Sequence, residues 1–260
     1  MNNANHVFHL LTATKGLSPT RYQRSTFPSL FQQKIDVIHD VINTKIVCPN
    51  RNATIDINGL KLCRSDEVIT FVNRNLEPLR GYHIFMRSLE KILQERPKAR
   101  VVIVGGNDVS YGAAAPTNTT WKNIFLNEVK DRIDIDRVHF VGKLSYSNFI
   151  TLLQVSSVHV YLTYPFVLSW SLMEAMSCGC AIIASNTAPV KEVISNNETG
   201  ILVEFFDVEN ISNKVIELLN SPQEREALGK NARDFIIKNY DLHDICLPKQ
   251  ISWINSIVDC

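Results

Sequence analysis

From about residue 67 onward, short apolar runs rich in Val and Ile alternate with longer segments of helical period, and no other feature narrows the fold as much. The runs are VITFV (68 to 72), RVVIVG (100 to 105), VHFVG (138 to 142), VHVYLT (158 to 163), AIIAS (181 to 185) and GILVEF (200 to 205). A strand with one wet face alternates apolar and polar residues. These runs are apolar almost throughout, so both faces must be covered, which is the condition of a parallel sheet. Between the first two lies YHIFMRSLEKILQERP, where Phe85, Leu89, Ile92 and Leu93 recur at helical spacing and Pro97 closes the segment. The repeat of strand and helix predicts an α/β protein with a doubly wound, Rossmann-like parallel sheet. After Phe206 the pattern turns helical, with Asp207 placed to cap one helix and Pro222 at the first turn of the next, so a helical C-terminal tail is expected. Before residue 50 the strand-like run is IDVIHDVI, approached by an Arg/Ser/Thr-rich stretch that makes little core of its own.

Composition narrows the partners. With 260 residues, 45% of them hydrophobic, the chain can bury the core of one large domain or two small ones. The net charge of +1 leaves no overall field to draw in nucleic acid or an anionic membrane, so any basic site must be local. The early apolar run VFHLL (7 to 11) is interrupted by His9 and falls far below the ~18 residues of a bilayer span. No signal peptide or membrane helix is read, and a cytoplasmic location is expected. The six cysteines, at 48, 63, 178, 180, 246 and 260, have neither zinc-ligand nor thioredoxin-type spacing. They are read as reduced thiols, with no metal site and no cofactor.

Ligands of open parallel sheets bind beyond the carboxyl ends of the strands. Four segments in such places carry suitable groups. RNLEPLRG supplies Arg74 and Arg80, whose guanidinium forks can hold a diphosphate while Gly81 admits a close backbone approach. Spacing alone equally allows a solvated Arg80 and an Arg74–Glu77 pair. GGND (Gly105 to Asp108) follows the second strand, but GGNDVS does not complete the dinucleotide fingerprint, which argues against a nicotinamide enzyme. In SWSLMEAMSCG the apolar Leu172, Met173, Ala175 and Met176 surround Glu174, a carboxylate suited to vicinal ribose hydroxyls or, more plainly, to a solvated helix face. NTAPVKEVI carries Glu192. His39, beside Asp40, reads as a structural histidine, and residues 107 to 120 form a long polar loop of the kind that is functional or mobile.

Taken in order, VNRNLEPLRGYHIFMRSL (72 to 89), VVIVGG (101 to 106), the stretch from HFVGK to AIIAS (139 to 185) and TAPVKEVISNNETGILVEFFD (187 to 207) resemble the C-terminal, donor-binding half of a GT-B retaining glycosyltransferase of family four, the glycosyl transferases group 1. The resemblance implies that Arg74, and Arg80 where lysine is usual, grip the donor diphosphate and act as the catalytic pair. It implies that Glu174 binds the nucleotide ribose, that Leu144 lines the base pocket, and that Phe166, Val167, Leu168, Ser169 and Trp170 cradle the sugar and its phosphate, with Gly105 in the same donor set. The implied ligand is a UDP- or GDP-sugar and the implied setting polysaccharide biosynthesis, with the acceptor left open.

Three departures stand out. Phe166 occupies the place of the first glutamate in the family's pair of glutamates seven residues apart, Val167 and Ser169 replace the usual glycines, and Val41 stands where glycine is common. The family's two-domain plan further implies that residues 1–33 are a remnant of an acceptor domain and its linker. Residues 34–240 would be the nucleotide-sugar domain, and 241–260 a helix made to pack on the acceptor domain, leaving Ile251, Trp253 and Ile254 partly uncovered. A partner chain would then supply that domain. The alternatives are a non-catalytic nucleotide-sugar-binding or interaction module, and a sugar-nucleotide epimerase of the same shape.

Overall fold

The computed structural model describes residues 4–258. The chain runs α1 (Ala4–Thr12), β1 (Gly16–Ser18), α2 (Arg21–Ser25), α3 (Ser29–Gln32), β2 (Ile35–Val37), β3 (Thr54–Ile57), β4 (Leu60–Cys63), β5 (Val68–Asn75), α4 (Tyr82–Glu95), β6 (Arg100–Gly106), α5 (Trp121–Val129), β7 (Val138–Gly142) and α6 (Tyr146–Val155). It continues through β8 (Val158–Tyr161), α7 (Trp170–Ser177), β9 (Ala181–Ser185), β10 (Ile201–Val203), α8 (Val208–Asn220), α9 (Pro222–Tyr240) and α10 (Leu247–Val258).

All six apolar runs become strands of one parallel sheet, ordered β10-β9-β8-β5-β6-β7. The chain builds outward from β5 through β6 to β7, then returns to build the other half from β8. The strand order therefore reverses between β5 and β8, and a crevice opens at their carboxyl ends. Side chains alternate across the sheet as a pleat requires. Ile69, Phe71, Val101 and Ile103 face α4 and α8, while Val68, Val72, Val102 and Val104 face the β3–β4 hairpin and α6. On the remaining half, Ile182 and Ala184 pack under α7 and α9.

Packing, rather than propensity, sets the helices. Phe85, Leu89, Ile92 and Leu93 of α4 are all buried, each worth roughly 1.5–3 kcal/mol, against a propensity spread of under about 1 kcal/mol per residue. Asp207 caps α8 by accepting from the Asn210 amide at 3.0 Å, and Pro222 opens α9. Among the described residues no helix is long and apolar enough to cross a membrane.

Two features differ from the sequence pattern. Within IDVIHDVI, Ile35–Val37 is strand, pairing in parallel with Gly16–Ser18 in a separate two-stranded sheet; the chain then bends so that Ile42 bridges to Asp241. The β3–β4 hairpin turns on Asn58 (φ 54°) and Gly59 (φ 88°), the positive-φ pair that a tight two-residue turn demands. Its Ile55, Ile57 and Leu62 cover one face of the sheet. The N-terminal segment is tied to the C-terminal helix: Trp253 Nε1 donates to Asp36 Oδ2 at 2.8 Å, while Ile251 and Ile254 stay half exposed. The five described cysteines are free thiols; Cys260 lies outside the described residues.

Candidate functional site

At the β5/β8 reversal lies a cavity of about 560 Å³. Arg74 reaches it from the end of β5, Gly105 from β6, Lys143 and Leu144 from the turn after β7, Tyr146 and Phe149 from α6, and Ser169, Ser171 and Glu174 from the start of α7. Arg80 enters from the 3-10 turn Pro78–Arg80, which joins β5 to α4 through Gly81 in the left-handed region (φ 71°). A side chain on Gly81 would also put its Cβ 2.3 Å from that of Leu162, so glycine is required twice over.

The two arginines play unlike parts. Arg74 is exposed at the rim, whereas Arg80 is 8% exposed and its Nη1 donates to Thr163 Oγ1 at 3.0 Å. Thr163 is itself held by Ser185, which takes its amide at 3.0 Å and donates to its carbonyl at 2.9 Å. A guanidinium so fixed loses little further freedom on meeting an anion. Glu77 does not pair with Arg74. It is fully buried, and its Oε2 accepts the amides of Ser110, Tyr111 and Gly112 at 3.2–3.3 Å, pinning the loop after β6.

Glu174 lines the same cavity from α7, where it is buried, and burial raises its carboxyl above the usual range while the Tyr146 hydroxyl, donating to Oε1 at 2.8 Å, draws it back down. Its second oxygen makes no hydrogen bond within the described protein. Gly105 is a close approach: a Cβ there would lie 2.7 Å from Leu76 Cδ2 and 3.0 Å from the Asn73 carbonyl oxygen.

The structure thus brings Arg74, Arg80, Gly105, Leu144, Ser169 and Glu174 to one cavity. Phe166, Val167, Leu168 and Trp170 are not among its lining. Leu168 is buried in the core under α7, and the Trp170 indole donates outward to Asp40 Oδ2 at 3.1 Å. Phe166 lies instead against Tyr111, the two rings tilted to one another. Glu192 lies elsewhere, accepting the amides of Arg21 and Tyr22 at 2.9 and 2.7 Å, and Asp108 pairs with Lys143 at the surface. His39 is buried against Tyr240, with Nδ1 2.5 Å from the Asp40 carbonyl oxygen, as a structural histidine should be. Tyr111, Lys143, Tyr146 and Thr163 complete the site without having been singled out in the sequence. Lys143 carried a usable signal, since it directly follows the strand run VHFVG; a tyrosine in a polar loop carries none.

This arrangement can hold an extended anion between the anchored Arg80 and the exposed Arg74, with the Glu174 carboxylate in the same cavity able to accept from a hydroxylated group. Comparison with known proteins identifies the family and the fold. Residues 56–235 match the model of the family "Glycosyl transferases group 1", and residues 1–47 match a "Glycosyl transferase family 4 group". The D-inositol 3-phosphate glycosyltransferase of Mycolicibacterium smegmatis is 25% identical over 191 residues, 73% of this chain and 41% of that one; the chain spans less than half the length of this curated relative. By shape, the chain matches Anabaena Alr3699/HepE, solved in complex with UDP-glucose, at TM-score 0.77 and 17% identity over 96% of this chain and 65% of the other. It also matches the C-terminal domain of the glycosyl transferase group 1 family protein LpcC of Francisella tularensis, at TM-score 0.64 and 20% identity, over 78% of this chain and 100% of that domain. With the doubly wound sheet, the helical tail and more than half of its length inside the family pattern, the chain belongs to the glycosyl transferases group 1 and has the fold of the C-terminal donor domain of a GT-B glycosyltransferase.

Proposed function

We propose that the chain binds a nucleoside diphosphate sugar, UDP- or GDP-linked, and serves as the donor side of a hexosyltransferase that transfers the sugar with retention. The observation that carries this reading is the convergence of Arg74, Arg80 and Glu174 on one cavity of about 560 Å³, a size in the usual range for small-molecule sites. The diphosphate lies on Arg74 and Arg80, and the nucleoside extends past Leu144 and Phe149 with its ribose on Glu174. In the transition state the departing diphosphate gains negative charge. Arg80, fixed beforehand by Thr163, stabilises that charge without reorganising and Arg74 adds a second cation from the rim, so the chain contributes positioning and charge stabilisation rather than a nucleophile. The UDP-glucose complex of Anabaena Alr3699/HepE is consistent with a donor of this class. The acceptor is held by groups outside this cavity, on an acceptor domain facing the carboxyl edge of the sheet.

The test is thermal melting and titration with UDP- and GDP-sugars. A true donor at a hundred times its dissociation constant adds about 2.7 kcal/mol. Arg74→Ala removes a charged contact worth roughly 1.5–3 kcal/mol and weakens the donor at least about tenfold. An unchanged affinity in that variant defeats the proposal. Binding without turnover, once an acceptor domain is supplied, makes the chain a nucleotide-sugar-binding module.

A further inference from the structure

Beside Arg80 stand two aromatic rings, Tyr111 in the lining of the cavity and Phe166 packed next to it. The guanidinium carbon of Arg80 lies 5.0 Å from the centre of the Tyr111 ring and 5.4 Å from that of Phe166. The rings themselves are 4.6 Å apart and inclined at 52°. They come from different loops, yet both are held in place. The Tyr111 loop is pinned by Glu77 and by Asn75 Nδ2, which donates to Ser110 Oγ at 2.6 Å, while the Phe166 loop carries the Thr163 that anchors Arg80. Each ring nevertheless stays open to solvent, Tyr111 by 43% and Phe166 by 39%.

This end of the cavity has cations and rings but no acid. Among the described lining residues Glu174 is the one carboxylate, and it sits at the nucleoside end with Tyr146 on its Oε1. Glu77 is turned into the backbone amides of its loop. A hexose hydroxyl is a donor that needs an acceptor, and the ring faces and the guanidinium offer none; the acceptor of the aromatic pair is the Tyr111 phenol oxygen at the ring's edge, so a hydroxyl laid on the faces is desolvated without compensation. A C–H face has the opposite fate, because the negative face of an aromatic ring attracts it and the contact removes apolar surface from water.

Resting on the donor reading above, in which the nucleoside lies at Glu174 and the diphosphate on the arginines, the sugar follows on past Arg80 and meets the two rings. We propose that Tyr111 and Phe166 form a sugar subsite that selects a 6-deoxyhexosyl donor over its fully hydroxylated counterpart. The methyl-bearing edge of such a sugar gives the rings a continuous apolar surface and asks for no acceptor there.

Equilibrium binding tests this with three ligands of one base: UDP, UDP-glucose and UDP-6-deoxyglucose, and in parallel GDP, GDP-mannose and GDP-6-deoxymannose. For the base that binds, the deoxy donor is tighter than the hexose donor by about tenfold, the discrimination expected when a methyl group rests on the rings and no hydroxyl is buried there unpaired. Phe166→Ala brings that ratio close to one, Tyr111→Ala lowers it, and Phe166→Glu, which supplies an acceptor, reverses it. Each variant is first shown to melt cooperatively. Equal or tighter binding of the hexose donor overturns the proposal, as does a ratio that Phe166→Ala leaves in place. Either result spares the donor reading, which is judged separately by whether the bare nucleoside diphosphate binds and weakens in Arg74→Ala. If neither nucleotide series binds, both fall together.

Discussion

The Tyr146 hydroxyl donates to Glu174 Oε1 across 2.8 Å, joining the first residue of α6 to the middle of α7 in the lining of the candidate cavity. Two opposed influences act on that carboxyl: burial raises it, and the tyrosine lowers it. Only the ionised form accepts hydrogen bonds with both oxygens, so donor affinity falls as acid protonates Glu174. Tyr146→Phe deletes the lowering influence, and the pH at which affinity falls moves upward. Titration calorimetry between pH 5 and 8 checks this, and coincident midpoints in the two proteins would refute it.

Glu77 fixes the loop that carries Tyr111. In Glu77→Ala three amides lose a charged acceptor, so exchange at residues 110 to 112 quickens and stability drops by about 1–3 kcal/mol. Glu77→Gln keeps a carbonyl acceptor and recovers most of the protection. Hydrogen exchange read by NMR gives the answer directly, and unaltered protection in the alanine variant counts against the latch.

Gly81 is needed for its φ of 71° and for its contact with Leu162. Gly81→Ala costs about 1–2 kcal/mol for the left-handed backbone and about 1–3 kcal/mol for overpacking. Adding Leu162→Ala relieves the second cost and leaves the first, although it opens a cavity of its own. Chemical denaturation of the single and double variants separates the two, and a glycine variant as stable as the parent would show that the turn adopts another path.

His159 sets an acid limit. It is fully buried in β8, with Nδ1 2.9 Å from Thr70 Oγ1 and Nε2 without a partner, and burial lowers its pKa to about 4. The unfolded chain takes up a proton near pH 6.5 that the folded chain refuses until about pH 4. Between those values the unfolded state binds more protons, so this contribution to stability is whole above pH 6.5 and is lost progressively on acidification toward pH 4. His159→Leu flattens the slope of stability against pH in that window; an identical slope would assign the acid sensitivity to other groups.

The sheet was legible because burial on both faces writes itself into composition. Each Val/Ile run of the sequence is a strand, and the Asp207 and Pro222 signals sit where helices begin, since caps and first-turn prolines act through neighbours a few residues away. Asn58–Gly59 was an equally local turn signal, and the hairpin it makes lay within reach of the same logic. Arg74, Arg80 and Glu174 could be singled out because strand ends and helix starts mark the ligand edge of such a sheet.

What the sequence could not determine is which side chains meet across that edge. Tyr111 and Phe166 lie far apart in the chain, in loops of no period, and Glu77 reads as an ordinary charged residue until its buried carboxylate is seen among three amides. Loop side chains converge only after the crossover between β5 and β8 has set their distances. Periodicity records burial against a neighbouring layer, so it specified the layers. The chemistry at their edge depends on long-range contacts that leave no period, and the tertiary structure alone decided it.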